Sequence, residues 1–158
     1  MTAPRITIVP AAEAADIAAV ADLFREFVFR IGREDGIDVG YQDFAGEMAT
    51  FPGRYEALLL ARVDDAPAAA LGLKRLSETE CELKRLYCRD AFRGLRLGQQ
   101  LVAKLIETAR TRGYRAIRLD THASMGPAIR LYESFGFLPS QPHNEPGNAC
   151  TLFFAKAL

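Results

Sequence analysis

The chain has 158 residues, 49% hydrophobic and 25% charged, with 20 basic and 20 acidic side chains and a formal net charge of zero. That length suits one domain, residues 1–158, which can bury roughly 68–70% of its extended surface without disulfides or metal. Zero net charge argues against a nucleic-acid partner, no apolar run approaches the ~20 residues of a membrane span, and MTAPRITIVP lacks the apolar stretch of a secretion signal, so a cytoplasmic location is expected.

Arg5–Val9 alternates and reads as a first strand ended by Pro10. Ile17, Ala21, Phe24, Val28 and Ile31 then fall on one face of a helix spanning about Ala12 to Ile31, with Gly32 and Gly36 as breakers. Tyr41–Phe51 reads as a second helix closed by Pro52-Gly53. Ala57–Val63 and Ala68–Leu76, joined across Asp64-Asp65-Ala66-Pro67, form a hairpin. Residues 80–88 form a strand whose pattern changes parity: Cys81 and Leu83 share one face, Leu86 and Cys88 the other. Side chains alternate strictly along a strand, so one extra residue near Lys84-Arg85, a β-bulge, restores the pattern. Burial on both faces is the alternative.

Leu97, Leu101, Leu105 and Ala109 recur every four residues, with Val102 and Ile106 alongside, and mark an amphipathic helix ending near Gly113. Tyr114–Thr121 reads as a strand. Ala128, Leu131, Tyr132 and Phe135 mark a further helix that starts near Ser124–Pro127 and stops at Gly136. Phe137 and Thr151–Phe154 read as two last strands. The order β-α-α-β-β-β-α-β-α-β-β implies an α/β or α+β sheet with helices on its faces.

Cys81, Cys88 and Cys150 include no C-x-x-C pair, and with only His122 and His143 no zinc-ligand spacing arises, so no metal is expected. The cysteines read as buried packing residues. A Cys88–His122 pair has no local signature, and His122 could instead line a site. Charge is unevenly distributed. Residues 1–83 hold eight basic and fifteen acidic side chains, a net −7, and residues 84–118 hold ten basic and two acidic, a net +8. The basic stretch contains a strand, then Arg93-Gly94-Leu95-Arg96-Leu97-Gly98-Gln99, then a helix. Such a helix start offers unpaired N–H groups and partial positive charge to a phosphate, glycines permit close approach, and Arg93 and Arg96 add charge-assisted donors. A Walker loop would need Lys-Ser/Thr after Gly98, where Gln99 stands. A dinucleotide fingerprint needs G-x-G-x-x-G, and Gly94 and Gly98 are wrongly spaced for it, although Asp120 lies where a ribose-binding acid would.

The loop resembles the coenzyme A pyrophosphate loop of the GNAT-superfamily N-acetyltransferases, Gln/Arg-x-x-Gly-x-Gly/Ala, with Arg93 and Gly98 at its ends and Arg96 in place of the inner glycine. Ala128-Ile129-Arg130-Leu131-Tyr132-Glu133-Ser134-Phe135-Gly136-Phe137 is similar to the family's A-x-x-L-Y-E-x-x-G-F. Met125 stands where asparagine is frequent, and Glu82–Tyr87 resembles the strand before the loop. Pro52-Gly53-Arg54-Tyr55 and Leu119-Asp120-Thr121 with Ser124-Met125 resemble one bacterial subgroup of small acetyltransferases.

The resemblance implies a GNAT-like mixed, largely antiparallel sheet with helices on both faces, acetyl-CoA as co-substrate, and transfer of acetyl to a primary amine of a small molecule or peptide by direct attack on the thioester. It places Tyr132 beside the sulfur as acid. Glu82 is the candidate base, directly or through water. Leu86, Tyr87 and Cys88 are candidates to bind the pantetheine arm, and Arg93, Gly94, Leu95, Arg96, Leu97, Gly98 and Gln99 to bind the phosphates. The region from residue 24 to 55, with Phe24, Phe27, Phe29, Asp35, Asp38, Tyr41, Asp43, Phe44 and Glu47, would roof the acceptor groove. A homodimer is implied as an option. Arg96 should hold an ordinary negative-φ conformation, because a side chain disfavours φ > 0. The departures at Arg96 and Met125 leave a second reading open, a non-catalytic acyl-CoA sensor or interaction module. The two charged stretches would then be opposed halves of one site.

Overall fold

The computed structural model describes residues 2–38, 43–144 and 152–158. The elements are β1 (Ile6–Pro10), α1 (Ala14–Asp35), α2 (Phe44–Ala49), β2 (Ala57–Val63), β3 (Ala66–Arg75), β4 (Glu80–Cys88), a 3-10 turn at Asp90–Phe92, α3 (Leu97–Thr111), β5 (Ala116–Thr121), α4 (Gly126–Ser134), β6 (Leu138–Pro139) and β7 (Leu152–Ala157). The strands form one sheet in the order β1-β2-β3-β4-β5-β7-β6. β4 and β5 run parallel, and every other neighbouring pair is antiparallel. This is the mixed, largely antiparallel sheet that was expected.

Strand alternation sends side chains to two separate apolar layers. On one face Leu59, Ala61, Leu71, Leu73, Cys81, Leu83, Ile117 and Leu119 pack with Leu101, Leu105 and Ala109 of α3 and with Tyr132 of α4. On the other, Leu58, Leu60 and Ala70 pack with Val20, Leu23 and Phe24 of α1. Helices therefore cover both faces. The buried stripe of α3 is the one its periodicity predicts. That of α1 is rotated from the expected one: Val20 and Leu23 are fully buried beside Phe24 and Ile31, while Ile17 and Val28 lie at its margin.

Several boundaries differ from expectation for local reasons. α1 runs through Gly32 to Asp35 and stops at Gly36, whose left-handed backbone (φ 67°) donates its N–H to Ile31. One glycine within a helix costs only about 1 kcal/mol, and a Cβ at Gly32 would lie 3.5 Å from the Ile37 carbonyl oxygen as the chain folds back. α2 is shorter than the expected 41–51 helix, starting after the Asp43 side chain accepts from the Gly46 N–H; Tyr41 falls outside the described residues. Phe137 is a core side chain before β6 rather than a strand residue. Thr151 and Cys150 also lie outside the described residues. Gly72 on β3 has a packing role, since a Cβ there would overlap the ring of Tyr55. Among the described residues no helix is long and apolar enough to cross a membrane.

Leu105 is fully buried between α3 and the sheet. Leu105→Ala should lower the unfolding free energy by about 2–5 kcal/mol, read from the urea midpoint at unchanged m-value.

Candidate functional site

The parity fault in β4 is a bulge. Ala70 pairs with Tyr87 and Gly72 with Lys84, so Arg85 and Leu86 together oppose Leu71. Arg85 takes up the extra residue with a left-handed backbone, φ 61°. Beyond it, β4 parts from its other neighbour: β5 pairs only along Glu80–Glu82, against Ala116–Arg118. The β4 edge from Leu83 onward therefore has no strand partner on that side among the described residues, leaving backbone groups available to an extended ligand.

A cleft of about 600 Å³ lies at this opening, a volume typical of small-molecule sites. Leu86, Tyr87, Cys88, Arg93, Gly94, Arg96, Leu97, Gly98 and Gln99 line it. Leu95, the remaining member of the expected set, packs against the core instead. Cys88 and Cys81 both carry thiols pushed up by burial, Cys81 to about 12, which suits packing rather than nucleophilic roles. His122 bonds Ser124, at 2.7 Å from Nδ1 to Oγ, and lines neither this cleft nor the smaller cavity described below.

The loop before α3 departs from expectation at Arg96. It is left-handed (φ 58°, ψ 36°), and as N-cap it makes no side-chain capping bond. The conformation is strained by about 1–2 kcal/mol. The chain then enters α3, whose first residues Leu97, Gly98 and Gln99 line the cleft, and the first helical bond is donated by Gln100 to the Arg96 carbonyl. Such an uncapped start favours an anion. Gly94 supplies the turn at φ 87°. Gly98 acts differently, because a Cβ there would stand 3.0 Å from Leu131 of α4, so it brings the two helices together. Arg93 is half-engaged already: its Nε sits 2.7 Å from Asp90, which Arg30 also meets at 2.7 Å. The hydrogen bond from Arg30 holds the Asp90 carboxyl below its usual range.

A smaller inner cavity of about 40 Å³ shares Phe27, Ile31, Leu86 and Met125 with the cleft. Tyr132, Lys84 and Asp120 line it. Tyr132 is buried, and burial first, then the Asp120 charge, pushes its phenol well above the ordinary tyrosine value. The phenol thus stays protonated. Its hydroxyl makes no hydrogen bond to a described residue. Glu82 lines neither cavity. Its Oε2 lies 2.7 Å from His143 Nε2 and 3.5 Å from Lys84 Nζ, which is 3.2 Å from Asp120. Asn144 donates to the other Asp120 oxygen at 3.3 Å. Lys84, Asp120, His143 and Asn144 thus join Glu82 in one cluster that sequence reasoning did not assemble. The parallel register that sets Asp120 beside Lys84 and the return of His143 across 61 residues left no local signal.

The charged stretches do not form two facing halves. Arg85, Arg89, Arg112 and Arg118 pair with Glu47, Glu26, Glu56 and Glu80, so the excesses largely cancel as ion pairs. The expected roof divides likewise. Phe27 and Asp35 line the cleft, and Phe24 is core. Phe29 is exposed. Asp43 pairs with Arg54. Phe44 lies over the Arg85 guanidinium, 5.2 Å to the ring centroid. Glu47 is buried, accepting from Arg85 at 3.2 and 3.4 Å and from Tyr55 at 2.8 Å. Arg85→Ala would leave that buried carboxylate with only the Tyr55 hydroxyl and the more distant Lys74 ammonium at 3.8 Å, and should cost up to about 3–5 kcal/mol of stability by urea denaturation. Arg85→Met combined with Glu47→Leu, which removes both charges, should cost less.

Residues 18–137 match the model of the acetyltransferase (GNAT) family. An uncharacterized N-acetyltransferase of Schizosaccharomyces pombe is 36% identical over 130 residues, covering 77% of this chain and 78% of its own. The uncharacterized N-acetyltransferase YsnE of Bacillus subtilis is 33% identical over 125 residues, covering 76% and 77%. An acetyltransferase structure from Streptococcus agalactiae superposes with a TM-score of 0.77 at 17% identity, over 97% of this chain and 98% of that one. The structure of yncA from Salmonella typhimurium, solved with its cofactor acetyl-CoA, does so at 0.72 and 20% identity, over 97% and 94%. These structures speak to fold, and the sequence matches to kinship. The parted β4 and β5, the loop into α3 and the Tyr132 helix thus lie within the matched residues, and the chain belongs to the GNAT acetyltransferase family.

Proposed function

We propose that the protein is an acetyl-CoA-dependent N-acetyltransferase that moves acetyl to a primary amine of a small molecule or peptide by direct attack on the thioester. The observation that carries this is the pairing, in adjoining cavities, of an uncapped α3 start with the hydroxyl of the buried Tyr132 residue, whose proton no described residue claims. The α3 N–H groups and Arg96 suit the coenzyme's phosphates. The unpaired β4 edge at Leu86–Cys88 suits its amide-bearing arm, and backbone donors there suit a developing oxyanion. The bound co-substrate would supply an activated acetyl thioester.

Tyr132 is the proton donor to the departing sulfur: burial keeps its phenol protonated, and no described residue competes for its hydrogen. Glu82 is the carboxylate of the proton-accepting side. The left-handed Arg96 lets a side chain stand in the conformation that an inner glycine would otherwise take, which weakens the case for a binding-only relative.

Acetyl-CoA should bind measurably by calorimetry, and lack of binding at millimolar ligand would refute the assignment. Tyr132→Phe should lower turnover by about 10²–10⁴ while leaving that binding intact. Unchanged turnover would remove Tyr132 from the proton-donor role.

A further inference from the structure

The cleft of about 600 Å³ narrows into the inner cavity of about 40 Å³ between four side chains that line both, Phe27 and Ile31 of α1, Leu86 of β4 and Met125 before α4. Phe27 and Ile31 stand one turn apart on the same face of α1. Ile37 lines the inner cavity only. It is 2% exposed and donates its N–H to the Ile31 carbonyl as the chain folds back. Met125 packs against this Ile31–Ile37 pair.

Met125 is an odd choice for its position. An N-cap favours Ser, Thr, Asp or Asn, whose side chains accept from the first helical turn, and Met125 makes no side-chain capping bond. Pro127 in the first turn of α4 removes one N–H that would otherwise need a partner. The thioether faces the cavity instead. Thr121, 4% exposed on β5, donates its hydroxyl to the Met125 sulfur at 3.7 Å. A long, unbranched side chain suits the wall of a small, irregular gap.

We propose that the inner cavity is the pocket for the donor's acyl group and that Met125 sets its length, restricting the donor to a two-carbon acyl chain. The inference rests on the N-acetyltransferase function proposed above, which puts the thioester sulfur at the Tyr132 hydroxyl. The acyl carbon is bonded to that sulfur, and Tyr132 lines the inner cavity, so the acyl chain enters there. One water-sized group fills about 10–15 Å³, so the cavity of about 40 Å³ takes roughly three. The carbonyl carbon, its oxygen and the methyl of an acetyl group match that number, and every added methylene exceeds it. A longer chain must move a wall. Ile37 is fully packed, and Lys84 and Asp120 are ion-paired at 3.2 Å. Met125 is the wall whose truncation lengthens the cavity without opening the core or breaking that pair.

Calorimetry on the full chain with CoA, acetyl-CoA, propionyl-CoA and butyryl-CoA tests this without an acceptor amine. Relative to CoA, the wild-type protein should bind propionyl-CoA more weakly than acetyl-CoA by about 10–200-fold, the range for one misfit methylene in an apolar pocket, and butyryl-CoA more weakly still. Met125→Ala should recover about tenfold or more of the propionyl-CoA loss, again relative to CoA bound by the same variant. Met125→Phe should do the reverse and weaken acetyl-CoA relative to CoA. In the carbon-13 spectrum of methionine-methyl-labelled protein, the Met125 signal should move between the CoA and acetyl-CoA complexes, and that of Met48, packed in the α1 layer, should not. Equal wild-type affinity along the series, discrimination unchanged in Met125→Ala, or a Met125 methyl indifferent to the acetyl group overturns the acyl pocket while leaving the transferase function standing. A wild-type protein that binds neither CoA nor acetyl-CoA overturns both.

Discussion

The site depends on one residue bent the wrong way. Arg85 sits inside a strand with a left-handed backbone, a conformation that costs an L-residue about 1–2 kcal/mol and that persists only where surrounding contacts over-determine it. Those contacts are the carboxylate of Glu47 and the ring of Phe44. They come from α2, which is too short to be stable alone and is anchored by this same pair. The bulge shifts the facing of β4, so that Cys81 and Leu83 and then Leu86 and Cys88 reach the same apolar layer. Past this point β4 and β5 no longer pair, and the opening becomes the cleft.

A second left-handed arginine stands on the other side of that cleft. Arg96 turns the chain into α3 and withholds a side-chain cap from it. Ordinary folding economy would place a glycine at the first feature and a serine or aspartate cap at the second. Both local rules are set aside within a few residues of one cavity, the pattern expected where backbone groups are reserved for a ligand.

Much of this was legible from residue order, and what was not has a physical reason. The bulge was readable because strict alternation makes a parity change conspicuous at Leu83 and Leu86. The α3 face was readable because Leu97, Leu101, Leu105 and Ala109 recur at helical spacing. The α1 helix runs past Gly32 because a single glycine is a weak breaker when tertiary packing favours continuation. Residue type alone disfavours a left-handed Arg96, and the entry of the chain into α3 nevertheless holds it there. The Glu82–Lys84–Asp120–His143 cluster could not be assembled from sequence, since it is made by a parallel register and a returning segment. Charge patterning misled for a related reason. Acidic and basic blocks distant along the chain meet as pairs, so a linear tally says little about the field in the cleft.

Gly72 carries a consequence for how this chain can vary. The Tyr55 ring occupies the space of its missing side chain, and the Tyr55 hydroxyl reaches Glu47, the partner of Arg85. The two positions therefore share one volume. Neither can grow unless the other shrinks, and shrinking residue 55 withdraws a donor from the carboxylate that holds the bulge. Across divergent descendants, residues 72, 55, 47 and 85 should change as a set or not at all, a covariation imposed by steric and hydrogen-bond bookkeeping rather than by contact with any ligand.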